Sequence, residues 1–147
     1  MRIALINIGE DNEEQYGNVA LLRSSRKSMI PDTFVIDTGS PKTVIPYDKA
    51  LRLQIPFNKK FSKMICLGGM KYRAYEVNDF EFIMIDEDGK MVIEPFSCLV
   101  LKPTSKKKED ELGHFPIIIG VDFLRERRYN LIMDFKNKEF YLEKFEE

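Results

Sequence analysis

Long apolar runs, cysteine, histidine and net charge are what this chain has least of, and each shortage excludes something. No apolar run exceeds four residues, far short of the ~20 that a membrane-spanning helix needs, so no membrane partner is expected. The opening Met1-Arg2-Ile3-Ala4-Leu5-Ile6-Asn7-Ile8 alternates and then meets Gly9-Glu10-Asp11. It lacks the apolar core and small-residue cleavage site of an export signal. Cys66 and Cys98 are too few for a disulfide framework, and together with the single His114 they are too few for a metal site. Scarce cysteine and the missing signal point to a reducing, cytoplasmic setting. The formal net charge is −1, from 23 Lys+Arg against 24 Asp+Glu, which argues against a nucleic-acid partner and against an acidic tail protein.

What is present suffices for a core. A length of 147 residues suits one domain (1–147), and a hydrophobic fraction of 44% with 11 Phe excludes a wholly disordered chain. The apolar segments are short, β-prone and punctuated by turn residues. Strands are expected at 2–8 and 18–23, then at 33–36 and 43–46. One or two helical turns are expected at 47–53. Two hairpins follow: 63–67 with 71–77 around Gly68-Gly69, and 80–85 with 91–96 around Asp88-Gly89. Residues 97–101 continue as strand, and 102–113 carry a charge run that reads as a solvated loop. A second buried strand is expected at 116–120 and a short helix at 122–128, with Asp122 as its N-cap. A last hairpin joins 129–134 to 139–143. The fold class is therefore all-β with one or two short helices.

The segment Phe34-Val35-Ile36-Asp37-Thr38-Gly39-Ser40 carries the chemistry. A buried strand that ends in an acid is unusual, because a carboxylate at the edge of a core loses hydration. It is either well hydrogen-bonded or functional. Gly39 lets backbone N–H groups approach the carboxylate. Asp-Thr-Gly alone also suits a capped turn. A second segment changes the weighing: Ile117-Ile118-Ile119-Gly120-Val121-Asp122-Phe123-Leu124 is another apolar strand ending in glycine ahead of a short helix.

Together these segments resemble the retropepsin-like aspartic proteases, single-lobe relatives of pepsin and of the retroviral proteases. Thr43-Val44-Ile45-Pro46 resembles the strand after that family's catalytic loop, Leu67-Gly68-Gly69-Met70-Lys71-Tyr72-Arg73-Ala74-Tyr75 its flap region, and 130–134 with 140–142 its closing hairpin. The resemblance implies a closed β-barrel of the acid-protease type, homodimeric, with Asp37 as catalytic acid. It implies loop support from Thr38, Gly39, Ser40 and Gly120, and substrate contact from Gly68, Gly69 and Met70. No metal or cofactor is implied; the partners are a second copy of the chain and a polypeptide. The sequence departs from the retroviral members by Ser40 in place of Ala, Val121 in place of Arg, and Pro41-Lys42 in place of acids.

Aspartic proteolysis needs two carboxyls sharing a proton, one acting as base toward water and the other as acid. Only Asp37 sits in an Asp-Thr-Gly. Asp122 and Asp134 are the internal candidates for the second, and a twofold dimer supplies it directly. The expected activity is cleavage of extended or unfolded polypeptide; the alternatives are a non-catalytic dimeric peptide-binding module and an unrelated barrel with a capped turn. Ser40 is expected to donate to the Asp37 carboxylate and so favour activity on the acid side of neutral. Val44, Ile45, Met70 and Ile118 are either core or pocket wall. The alternating termini either interleave between two copies or complete each chain's own sheet.

Overall fold

The computed structural model describes residues 1–10, 13–24, 29–57, 62–67, 69–78, 80–104 and 115–145. The strands are β1 (Arg2–Ala4), β2 (Ile6–Asn7), β3 (Tyr16–Ser24), β4 (Ile30–Ile36), β5 (Val44–Pro46), β6 (Ser62–Leu67), β7 (Met70–Val77), β8 (Phe80–Ile85), β9 (Met91–Pro95), β10 (Cys98–Pro103), β11 (Ile117–Ile119), β12 (Asn130–Asp134) and β13 (Glu139–Glu143). Two short helices, α1 (Tyr47–Arg52) and α2 (Val121–Glu126), complete the described elements. Most of the large sheet follows the order β6-β7-β10-β5-β11-β4-β3-β8-β9, with β2 paired to β3; a smaller sheet has the order β1-β13-β12.

The centre of the large sheet is a crossover. β4 and β5 follow one another in sequence, yet β11 lies between them, parallel to β4 (Ile117↔Phe34, Ile119↔Ile36) and antiparallel to β5 through Ile118↔Val44. Residues 37–43 therefore pass over the end of β11. Period-two alternation divides these strands between two apolar clusters. Ile45, Val100, Ile117 and Ile119 join the larger one with Phe34; Val44, Leu99 and Leu101 face the other, with Ile118 packed against it. Val44 and Ile45 are fully buried, so both are core rather than pocket wall.

The expected closed barrel is not formed. Among the described residues no pairing joins β6 to β9, the two ends of the strand order. Both behave as edge strands. β9 ends on Pro95, which has no amide to donate, and exposes Met91 and Ile93; β6 exposes Met64 and Cys66. The opening strand also differs from expectation, because it divides at Leu5. Ile6 pairs with Gly17 on β3, whereas Ile3 pairs with Leu142 on β13, and the Leu5 amide donates to the Phe140 carbonyl (2.8 Å). The termini thus complete a sheet within one chain. The turn at Asp88-Gly89 forms as expected, with Gly89 at φ 78°. His114 and most of the charged 102–113 loop lie outside the described residues.

Helix α2 is fixed by aromatic packing. Phe123 is fully buried, with ring centroids 5.6 Å from Phe82, 5.2 Å from Phe96 and 5.8 Å from Tyr129. Beside it lies a buried ion network. The Glu94 side chain is 4% exposed and accepts from Arg127, from the Tyr129 hydroxyl (3.1 Å) and from Lys144 Nζ (2.9 Å). Burial, then the Glu94 charge, pushes the Tyr129 phenol up. This network fastens β9, the end of α2 and the C-terminal segment to one carboxylate. Glu94→Ala is expected to lower unfolding stability by about 3 kcal/mol, the low end for breaking a buried ion pair because both cations keep some contact with water; urea titration of the two proteins checks it.

Candidate active site

The loop after β4 takes an apolar strand to the surface within one residue. Phe34 and Val35 are buried, Asp37, Thr38 and Gly39 are exposed, and Ser40 is buried again. The Asp37 amide donates to the Ile119 carbonyl (3.0 Å), extending the β4–β11 ladder by one bond. The Gly39 amide donates to Asp37 Oδ1 (2.9 Å) and the Ser40 amide to the Asp37 carbonyl (3.1 Å). A Cβ on Gly39 would stand 3.1 Å from Asp37 Oδ1, so glycine here provides room for the carboxylate to fold back on the chain. Ser40 departs from expectation. Its hydroxyl donates to the Lys42 carbonyl (2.7 Å) and so braces the loop, which removes the ground for an acid-side optimum based on Ser40.

Under the loop lies the start of α2. The Val121 amide donates to the Ser40 carbonyl (2.9 Å). Gly120 is in extended backbone (φ −94°), so its requirement is space, not conformation. A Cβ there would meet the Lys42 carbonyl oxygen at 2.5 Å and the Ser40 carbonyl oxygen at 2.6 Å. The Gly120 amide donates to Thr43 Oγ1 (3.0 Å), and that hydroxyl donates to Asp122 Oδ1 (2.8 Å). Asp122 is not the N-cap; Gly120 occupies that position and Asp122 is the second residue of the helix. Its Oδ1 also accepts from the Phe123 amide (2.8 Å). The Thr43–Asp122 bond was not legible in the sequence. The usable signal was two polar residues flanking otherwise apolar strands.

The β6–β7 hairpin is present in the expected place. Gly69 is exposed at φ 77°, the left-handed region that favours glycine. Met70 is half-buried and packs against the cluster of Val44, Tyr72 and Leu99. Gly68, the third expected flap residue, lies outside the described residues. Asp37, Thr38, Gly39, Ser40 and Gly120 are thus brought together, with Gly69 and Met70 on a separate hairpin.

No protein-family model matches the chain, and no curated protein matches it in sequence. Solved structures do. A retropepsin-like aspartic protease from Rickettsia conorii superposes with a TM-score of 0.54 at 16% identity, over 97% of this chain and 88% of the other. EIAV protease, complexed with the inhibitor HBY-793, superposes with a TM-score of 0.51 at 16% identity, over 85% of this chain and 99% of the other. The chain has the retropepsin-like fold. An unrelated barrel is thereby set aside.

Within this retropepsin-like fold the two internal candidates for a second carboxyl are engaged elsewhere. Asp122 is held by Thr43 and Phe123. Asp134 accepts from the Asn137 amide (3.0 Å) and side chain (2.8 Å), and the backbone bond, then the side-chain bond, draws its carboxyl below the usual range. The cysteines also separate: both are free thiols, Cys66 exposed and Cys98 buried. β7 lies between their strands. Burial, then the Asp122 charge, pushes the Cys98 thiol up. Iodoacetamide at pH 8 is expected to label Cys66 in the folded protein and Cys98 only after unfolding, as read by mass spectrometry. Gly120→Ala is expected to lower stability by about 1–3 kcal/mol, since backbone and not a side-chain tip must yield; thermal unfolding checks it.

Proposed function

We propose that the protein is an aspartic endopeptidase acting as a homodimer, with Asp37 of each copy forming one active site. The supporting observation is the exposed Asp37 carboxylate at the mouth of a buried strand, aimed by the Gly39 amide (2.9 Å). The fold likeness is consistent with this, and the commitments of Asp122 and Asp134 leave a second copy as the simplest source of the second acid. Two carboxyls roughly 3 Å apart share one proton. The ionised one takes a proton from a water between them; the protonated one donates to the scissile carbonyl oxygen as water adds to its carbon. Proton return to the leaving amine then completes hydrolysis.

The neighbours follow from this reading. The exposed Thr38 hydroxyl reaches across the axis to the partner's loop, while Ser40 and Gly120 hold the loop from beneath. The β6–β7 hairpin closes over an extended segment of unfolded polypeptide, with Gly69 and Met70 at its tip, and limits water in the cleft. Main-chain bonds of the kind a strand makes hold the substrate. The reaction needs no metal or cofactor. Among the described residues no helix is long and apolar enough to cross a membrane, and an intracellular location, with both thiols kept reduced, belongs to the same proposal.

The test is cleavage of a reduced, carboxymethylated protein between pH 3 and 8 by the wild type and by Asp37→Asn. The wild type is expected to cut and the variant to lose cleavage while remaining a folded dimer. A purified heterodimer of wild type and Asp37→Asn is expected to be inactive as well. A heterodimer with half the wild-type rate would mean that each chain works alone. A folded wild-type dimer that binds unfolded chains and never cuts them would support the peptide-binding module instead.

A further inference from the structure

Thr43 and Asp122 lie outside the Asp-Thr-Gly segment, yet the exit of the loop depends on them. Thr43 is fully buried. A hydroxyl has one proton to give, and the Gly120 amide is only a donor, so the Thr43 proton goes to Asp122 Oδ1 (2.8 Å) while its oxygen receives Gly120 (3.0 Å). The Thr43 carbonyl accepts from the Leu99 amide (3.2 Å). One residue therefore ties the end of the loop to β10 and to the first turn of α2. Asp122 is held in turn by the Phe123 amide (2.8 Å), and the Phe123 ring is wedged among Phe82, Phe96 and Tyr129. At the entry, Asp37 is tied to the Ile119 carbonyl, and midway Ser40 is tied to the Val121 amide. All three ties run to residues 119–122.

The geometry points to Thr43 and Asp122 as positioning residues for Asp37: their hydroxyl–carboxylate bond sets where the loop exits over α2, and with it where the Asp37 carboxylate is aimed. This rests on the proposed role of Asp37 in catalysis. What the site requires at position 122 is an acceptor rather than a charge. Asn at 122 keeps an oxygen for both Thr43 and Phe123, and Ser at 43 keeps both functions of the hydroxyl. Ala at 122 or Val at 43 removes the bond. A displacement near 1 Å of a reacting group can cost about 10²-fold in rate.

The experiment compares Thr43→Val, Thr43→Ser, Asp122→Ala, Asp122→Asn and the Val/Ala double variant in the full chain. Steady-state cleavage of a peptide substrate is measured alongside NMR of the Gly39 amide and the Asp37 carboxyl carbon. Thr43→Val and Asp122→Ala are expected to lower kcat about 10²-fold with KM changed less than about threefold, and to move both NMR signals. Thr43→Ser and Asp122→Asn are expected to stay near wild type in both readouts. The double variant is expected to lose less than the two singles combined, because the Thr43–Asp122 bond is already lost in each of them. The inference is overturned if Asp122→Asn is as damaged as Asp122→Ala. It is equally overturned if Thr43→Val and Asp122→Ala melt earlier but leave kcat and the two signals in place. If Thr43→Val does not fold, the half-buried Asp122 pair of variants decides. If the wild type cuts nothing, the proposed function fails, and the Gly39 and Asp37 signals alone judge whether this bond positions the loop.

Discussion

The contact between Gly120 and the carbonyl oxygens of Ser40 and Lys42 is the constraint on which the centre of this protein depends. A single added carbon would lie 2.5–2.6 Å from them. That approach lets the end of β11 pass directly beneath the loop, which in turn lets β11 lie between β4 and β5. With a side chain at 120 the two layers would have to separate. The Val121–Ser40 and Gly120–Thr43 bonds would then lengthen together, because one is made by that glycine's own amide and the other by the next amide in the chain. Close packing here is a geometric condition for the crossover, and the hydrogen bonds follow from it.

The same crossover explains why three consecutive isoleucines form β11. A strand hydrogen-bonded on both sides and covered on both faces has no polar position to offer. Ile117 and Ile119 enter the larger apolar cluster, Ile118 packs on the other, and Val44 and Ile45 divide in the same way. The outer strands show the contrast. β9 alternates exposed Met91 and Ile93 with half-buried Val92 and buried Glu94, as an edge strand with one covered face does. Burying an acid on that covered face is tolerable because Arg127, Lys144 and the Tyr129 hydroxyl all converge on it.

Strand positions and the Asp37 loop are largely legible in the sequence, because both depend on local pattern. Apolar runs bounded by Gly, Pro and Asp mark β4, β11 and the hairpins, and the ordered motifs point to the fold. Partnerships across long separations are less legible. Ser40 could serve the Asp37 carboxylate, three residues before it, or the carbonyl of Lys42, two residues after it, and a hydroxyl's composition does not choose; the buried Ser40 side chain chooses Lys42. Asp122 looks like an N-cap because it is an acid just ahead of Phe123-Leu124, but Gly120 already takes the cap position and frees the acid for Thr43, 79 residues away. Barrel closure depends on whether β6 meets β9, two strands whose alternation is compatible with either an edge or a paired position.

On the proposed reading, the work of a two-acid site divides between rigidity and enclosure. One chain supplies rigidity: the loop is tied at Asp37, Ser40 and Thr43 to a segment that aromatic packing immobilises. One chain does not supply enclosure, because Asp37, Thr38 and Gly39 are all exposed. An exposed carboxylate is surrounded by water that competes with every directed bond. Covering it with an identical loop changes both terms at once. Water is displaced, and a like charge is brought close, and each disfavours having both acids ionised. On the proposed reading, then, the bonds within the chain fix where the carboxylate points, while association sets its protonation; the surface left open around Asp37 is the part of the site that a second copy completes.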